Sequence, residues 1–151
     1  MFINWELVPF FSVSEFDDPK YPGSGDCIDG AFLHMIVRLR LYTGWPMITH
    51  APVGGAVDVD GSYGHAVNSY HLKKMGCKAL DFHFRTKASV REQVHVVLQT
   101  GFGGVGMYLN LWRWNNQVLP VAFHIDTRPI YRFQAWTCRE RGNYVYLLQG
   151  V

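Results

Sequence analysis

Two short segments constrain this chain more than any other feature. In Ala79–Phe84, Leu80, Phe82 and Phe84 alternate with Ala79, Asp81 and His83, and in Val121–Asp126, Val121, Phe123 and Ile125 alternate with Ala122, His124 and Asp126. Strict period-two alternation is the signature of a strand with two chemically different faces. The apolar face of each strand anchors it in a core, so the opposite faces are left to carry polar side chains. His71 lies in the polar turn that leads into the first of these strands. If the polar faces meet, two imidazoles and a carboxylate come together. That set suits a catalytic zinc ion, which takes three nitrogen and oxygen ligands from protein and keeps one position open for water.

The remaining elements place those strands in one domain. Asp29 caps a helix expected over about Gly30 to Tyr42, with Gly44 as its left-handed stop. Ser89-Val90-Arg91-Glu92 is a capping box that opens a second helix to about Thr100, with Val90, Val94, Val97 and Leu98 inward and Gly101 ending it. Pro46–His50 reads as a short strand, and Gly54–Asn68 as a long loop of the kind that lines functional sites. Gly103–Tyr108 reads as a strand whose missing side chains admit a close neighbour, either another backbone or an extended peptide. Leu111–Gln117 is a turn-forming excursion in which Trp112 and Trp114 are expected to pack or to rim a cleft. Two last strands, near Ile130–Thr137 and Asn143–Gln149, form a hairpin joined by Cys138–Gly142. Early helices followed by consecutive strands give an α+β fold: a single domain over residues 1–151, with two main helices packed on a mostly antiparallel sheet. A chain of 151 residues with 48% hydrophobic content can bury one sizeable core.

Charge and cysteine usage exclude several function classes. A net charge of +2 with 17% charged residues and no basic block argues against nucleic acid as a partner. No stretch approaches membrane-spanning length, and the amino-terminal residues lack a basic segment followed by an apolar run, so the expectation is a protein made in the cytoplasm without a signal peptide. Cys27, Cys77 and Cys138 form no Cys-x-x-Cys pair, which leaves reduced thiols and no thiolate zinc site. The His-x-Asp spacing of His124 and Asp126 also occurs in the facial triad of non-haem iron oxygenases, but that triad needs a further downstream histidine and none follows His124.

Ser69-x-His71, Gly76-x-x-Ala79-x-Asp81, Gly103–Tyr108 and Phe123-His124-Ile125-Asp126-Thr127-Arg128 together resemble the zinc peptidases of the M15 class. These are the D-alanyl-D-alanine carboxypeptidases and phage endolysins, whose fold is shared with the amino-terminal domain of Hedgehog. The resemblance covers most of the chain and implies a Hedgehog/DD-peptidase-like fold, zinc held by His71, Asp81 and His124, and cleavage of the stem peptides of bacterial peptidoglycan by metal-activated water. Many members carry an acidic residue three positions before the last histidine. Val121 stands there, so Asp126 is the candidate catalytic base, with orientation of His124 as its other role. Ser69 is expected to fix the loop that delivers His71, Arg128 to pair with Asp126 or meet a substrate carboxylate, and Tyr108 to support the site or touch substrate.

Two departures accompany the resemblance. The gap from His71 to Asp81 is longer than usual, through extra residues within Lys73–Cys77. The arginine that binds a terminal carboxylate in the family is replaced by His50-Ala51-Pro52-Val53. Its absence favours an endopeptidase over a carboxypeptidase, or else a non-catalytic binding or assembly module that keeps the fold and the metal cleft. The leading expectation is a peptidase of phage or prophage origin that reaches the cell wall by release or delivery.

Overall fold

The apolar faces of the two alternating segments meet at the centre of a six-stranded sheet. The computed structural model describes residues 3–149, so Met1, Phe2, Gly150 and Val151 at the ends of the expected domain lie outside it. The strands are β1 (Met47–Thr49), β2 (Ala79–Phe84), β3 (Gly104–Leu109), β4 (Arg113–Trp114), β5 (Gln117–Val118), β6 (Val121–Asp126), β7 (Gln134–Glu140) and β8 (Asn143–Gln149). The main sheet has the order β1-β2-β6-β3-β7-β8, with β3 and β7 parallel and the other neighbours antiparallel. Strands β4 and β5 form a separate two-stranded ribbon.

Helix α1 (Gly30–Thr43) begins where the Asp29 carboxylate accepts from the Phe32 amide at 2.9 Å, and it stops at Gly44 with φ +68°. Helix α2 (Val90–Gln99) carries the expected capping box between Ser89 and Glu92. Phe32, Leu33, Ile36 and Leu39 of α1 and Val97 of α2 share one core with Leu80, Phe82, Phe123 and Ile125. Phe82 and Phe123 are register partners whose rings stack at 5.5 Å. The molecule is thus one compact α+β domain with two helices on a mostly antiparallel sheet. Among the described residues no helix is long and apolar enough to cross a membrane.

Three boundaries differ from the sequence expectation. The first strand of the last hairpin begins at Gln134, because Ile130–Arg132 form a 3-10 turn after Pro129, and it runs on to Glu140. The connection needs only Arg141 and Gly142, since Gly142 at φ +82° closes a tight turn. The excursion at Leu111–Gln117 folds into the β4–β5 ribbon, with Asn115 and Asn116 both at positive φ. All of β2 is buried, polar face included, because the loop after β1 lies across it. The Gly55 carbonyl accepts from the Asp81 amide at 2.6 Å, and a Cβ on Gly55 would meet the Cβ atoms of both His50 and Asp81 at 2.8 Å. The extra residues before β2 are absorbed by a 3-10 turn at Lys73–Met75 ended by Gly76 at φ +91°. Cys77 and Cys138 are buried and Cys27 is half-buried, all as free thiols.

Candidate metal centre

Register brings the polar faces together. Asp81 pairs with His124 across β2 and β6, His124 with Gly106 across β6 and β3, and Gly106 with Trp136 across β3 and β7. One row earlier, Asp126 lies between Ala79 and Gly104. The glycines have a definite use here. A Cβ on Gly106 would meet the Trp136 indole, and one on Gly104 would meet the Asp126 carboxylate and Arg128. The close neighbours of this strand are therefore side chains of the same chain, and the flat row lets Trp136 lie 5.4 Å from the His124 ring.

His71 reaches the row from the turn before β2. The Ser69 hydroxyl accepts from the His71 amide at 3.3 Å, within the turn that carries His71. The Asp58 amide donates to the His71 carbonyl at 3.0 Å, so the long loop flanks the same residue. His71 Nδ1 lies 2.9 Å from the Ala56 carbonyl, an acceptor that keeps the proton on Nδ1 and turns a bare Nε2 inward. That Nε2 is 3.3 Å from His124 Nδ1 and 3.5 Å from Asp81 Oδ1, and His124 Nδ1 is 2.8 Å from Asp81 Oδ1. Asp81 and His124, set on the polar faces by alternation, thus converge with His71 from the turn before β2.

Burial works to raise the Asp81 carboxyl, but His71 and His124 beside it outweigh burial and hold it well below the usual carboxylate range. Burial likewise works to lower His124, yet its bonds to Asp126 and Asp81 prevail and push it up to about 9.

Asp126 is fully buried and engaged on both oxygens. Oδ2 lies 3.1 Å from His124 Nε2 and 2.6 Å from Arg128 Nη2, and Oδ1 accepts from the Arg128 amide and Nε, each at 2.9 Å. These contacts fit the orienting role considered for Asp126. Arg128 forms the structural pair with Asp126 and lies over the Trp136 ring at 5.2 Å. Tyr108 lines the cleft beside Asp81 and stacks on Trp112 at 4.6 Å.

A third imidazole belongs to the centre. His65 stacks on His71 at 4.4 Å with an interplanar angle of 7°, and its Nδ1 is 2.8 Å from Oδ2 of the buried Asp58. Ligand atoms of His65, His71 and Asp81 lie within 4.8 Å of one another, so these three side chains could hold a metal ion. This set shares two members with the triad that includes His124. Sequence reading does not reach His65, because it stands in a loop with no periodicity to place it. Burial, and then the neighbouring His71, lower its pKa, which favours the neutral ring.

Two clefts, each of about 640 Å³, open onto the centre. One is lined by Asp81, His65, His50, Tyr108, Trp112 and Trp114, the other by His124, Asp126, Arg128 and Ser69. The two tryptophans pack on His50 and also wall the first cleft, so both expected roles are met. Comparison of the chain with protein-family models, with curated proteins and with solved structures gives no match.

Proposed function

We propose that this chain is a zinc-dependent peptidase of the Hedgehog/DD-peptidase fold that cuts the peptide stems of bacterial peptidoglycan, with an origin in a phage or prophage. The observation that carries this reading is the convergence of His71 Nε2, Asp81 Oδ1 and His124 Nδ1 within 3.5 Å of one another, at the meeting of two clefts. The donor set fits zinc, with two imidazoles and one carboxylate, no thiolate, and a partner behind each ring: the Ala56 carbonyl behind His71 and the Asp126 carboxylate behind His124. Zinc bound by such a set supplies a Lewis acid and a water acidic enough to act near neutral pH.

The chain's own residues supply the rest. Asp126 and Arg128 hold the His124 ring in one orientation. His65, backed by Asp58, is the group placed to take a proton and return it to the leaving amine, in the manner of an imidazole oriented by a carboxylate.

A second reading, a binding or assembly module that keeps the fold and the metal cleft, is favoured by one observation: Asp126, the carboxylate nearest His124 outside the triad, has both oxygens occupied. Incubation of zinc-loaded protein with purified peptidoglycan, followed by mass spectrometry, separates the two. New amine termini that vanish in His71→Ala together with bound zinc support the peptidase. Stoichiometric zinc with no new termini, under conditions where a related enzyme works, supports the module.

A further inference from the structure

Among the described residues, one buried side-chain polar atom has no hydrogen-bond partner in the protein. His50 is 1% exposed, its Nε2 lies 2.8 Å from His83 Nδ1, and its Nδ1 is buried without a hydrogen-bond partner. Leaving such an atom unmet costs about 1–3 kcal/mol, and buried polar groups in folded proteins are nearly all paired. An orphan of this kind calls for a use.

His50 lines the cleft that it shares with Asp81 and His65, and its amide donates to the Asp81 carbonyl at 2.8 Å. Around it runs a row of rings. Trp112 lies 4.9 Å from His50, Trp114 stacks on His50 at 4.9 Å and 13°, and His83 follows at 5.5 Å from Trp114. Trp114 belongs to the β4–β5 ribbon and Trp112 directly precedes it, and the ribbon pairs only with itself.

The chemistry of the cleft selects its occupant. The ring of His50 has His83 as its one hydrogen-bond partner and offers one donor or one acceptor at Nδ1. A single bonding atom between flat aromatic faces complements a planar amide better than a carboxylate, which needs a cation or several donors. The cations that line this cleft, Arg113 and Arg141, are exposed. The second cleft meets the centre at His124, so a chain has room to continue past the centre in both directions.

Resting on the peptidase reading above, we propose that His50 is a substrate-recognition residue. Its Nδ1 bonds an uncharged amide of a peptide that lies against Trp112 and Trp114 and runs on through the centre, so the bond cut is internal to the chain and not next to a free C-terminal carboxylate.

The test uses the full zinc-loaded chain and two synthetic stem peptides, one ending in a free carboxylate and one amidated and extended at that end. Tryptophan fluorescence reports binding and mass spectrometry reports cleavage. The extended peptide is expected to bind about tenfold tighter, the worth of one well-placed hydrogen bond, and His50→Phe should erase that preference with zinc content intact. Trp114→Leu, on the ribbon outside the main sheet, should weaken both peptides and keeps the cleft testable if His50→Phe does not fold. Preference for the free acid, or a His50→Phe protein that discriminates as the unaltered chain does, overturns the inference and leaves the peptidase reading standing. A His50-dependent preference with no cleavage of either peptide upholds the recognition role and overturns the peptidase reading together with the site of cutting.

Discussion

Replacing Asp126 with asparagine tests whether that carboxylate orients His124 or removes protons. Asp126 presents two oxygens to four donors: the His124 ring nitrogen Nε2 and the backbone amide, Nε and Nη2 of Arg128. An amide presents one oxygen and a donor group in place of the other. Whichever way it turns, its NH2 faces two donors that lose their acceptor, and the Arg128 charge loses its counter-ion. Breaking a buried pair by removing one partner costs about 3–5 kcal/mol. The Arg128 side chain is 21% exposed and keeps its contacts with Gln134 and Trp136, which moves the expectation to about 2–3 kcal/mol. The second effect falls on the metal. Without an acceptor on Nε2, the His124 ring loses the bond that orients it, and loss of such a partner lowers metal affinity by about 10–100-fold. At fixed free zinc that removes about 1.4–2.8 kcal/mol of the stabilisation the metal contributes. Zinc affinity by competition with a chromophoric chelator, and urea unfolding with and without zinc, measure the two terms separately. An Asp126→Asn protein with unaltered zinc affinity and stability but no turnover would refute the orienting role and return Asp126 to the part of base.

Further outcomes follow from the same contacts. His50 has a folded pKa of about 4 against 6.5 in the unfolded chain, so the unfolded state takes up its proton first. Its contribution is therefore fully present above pH 6.5 and is lost as pH falls toward 4, about 3 kcal/mol in all, and urea titrations at several pH values should show this slope flattened in His50→Phe. Gly104→Ala drives a methyl into the Asp126 carboxylate and should cost about 1–3 kcal/mol and weaken zinc binding, whereas Gly30→Ala, with nothing within 4 Å, should leave thermal stability the same or raise it. Equal effects at the two glycines in calorimetric melts would contradict the account given of the flat row. Ser89→Ala removes the capping box of α2 and should cost about 1 kcal/mol, a fall of about 2–4 °C in melting temperature, with no change in zinc affinity.

What the sequence alone determined is what acts over a few residues. Alternation in Ala79–Phe84 and Val121–Asp126 reflects the pleat, the Asp29 and Ser89 caps satisfy the first amides of their helices, and Gly44 and Gly101 supply positive φ where each helix ends. Because the alternation also segregates polar from apolar side chains, Asp81 and His124 could be named together before any fold was known, with His71 added from its place in the turn before β2. Tertiary structure decided the rest. His65 comes to the centre only because the loop from Gly54 to Asn68 folds back on His71 and Asp58 receives its ring, contacts that no spacing encodes. Asp126 is fixed in place because Arg128 and His124 claim both its oxygens, and the glycines of β3 acquired their purpose from Trp136 and Asp126 on the neighbouring strands. Even the burial of the polar face of β2 is a property of what lies over it. Local order follows from sterics and hydrogen bonds within a turn or a pleat, while a site follows from which distant segments the packed core forces to meet.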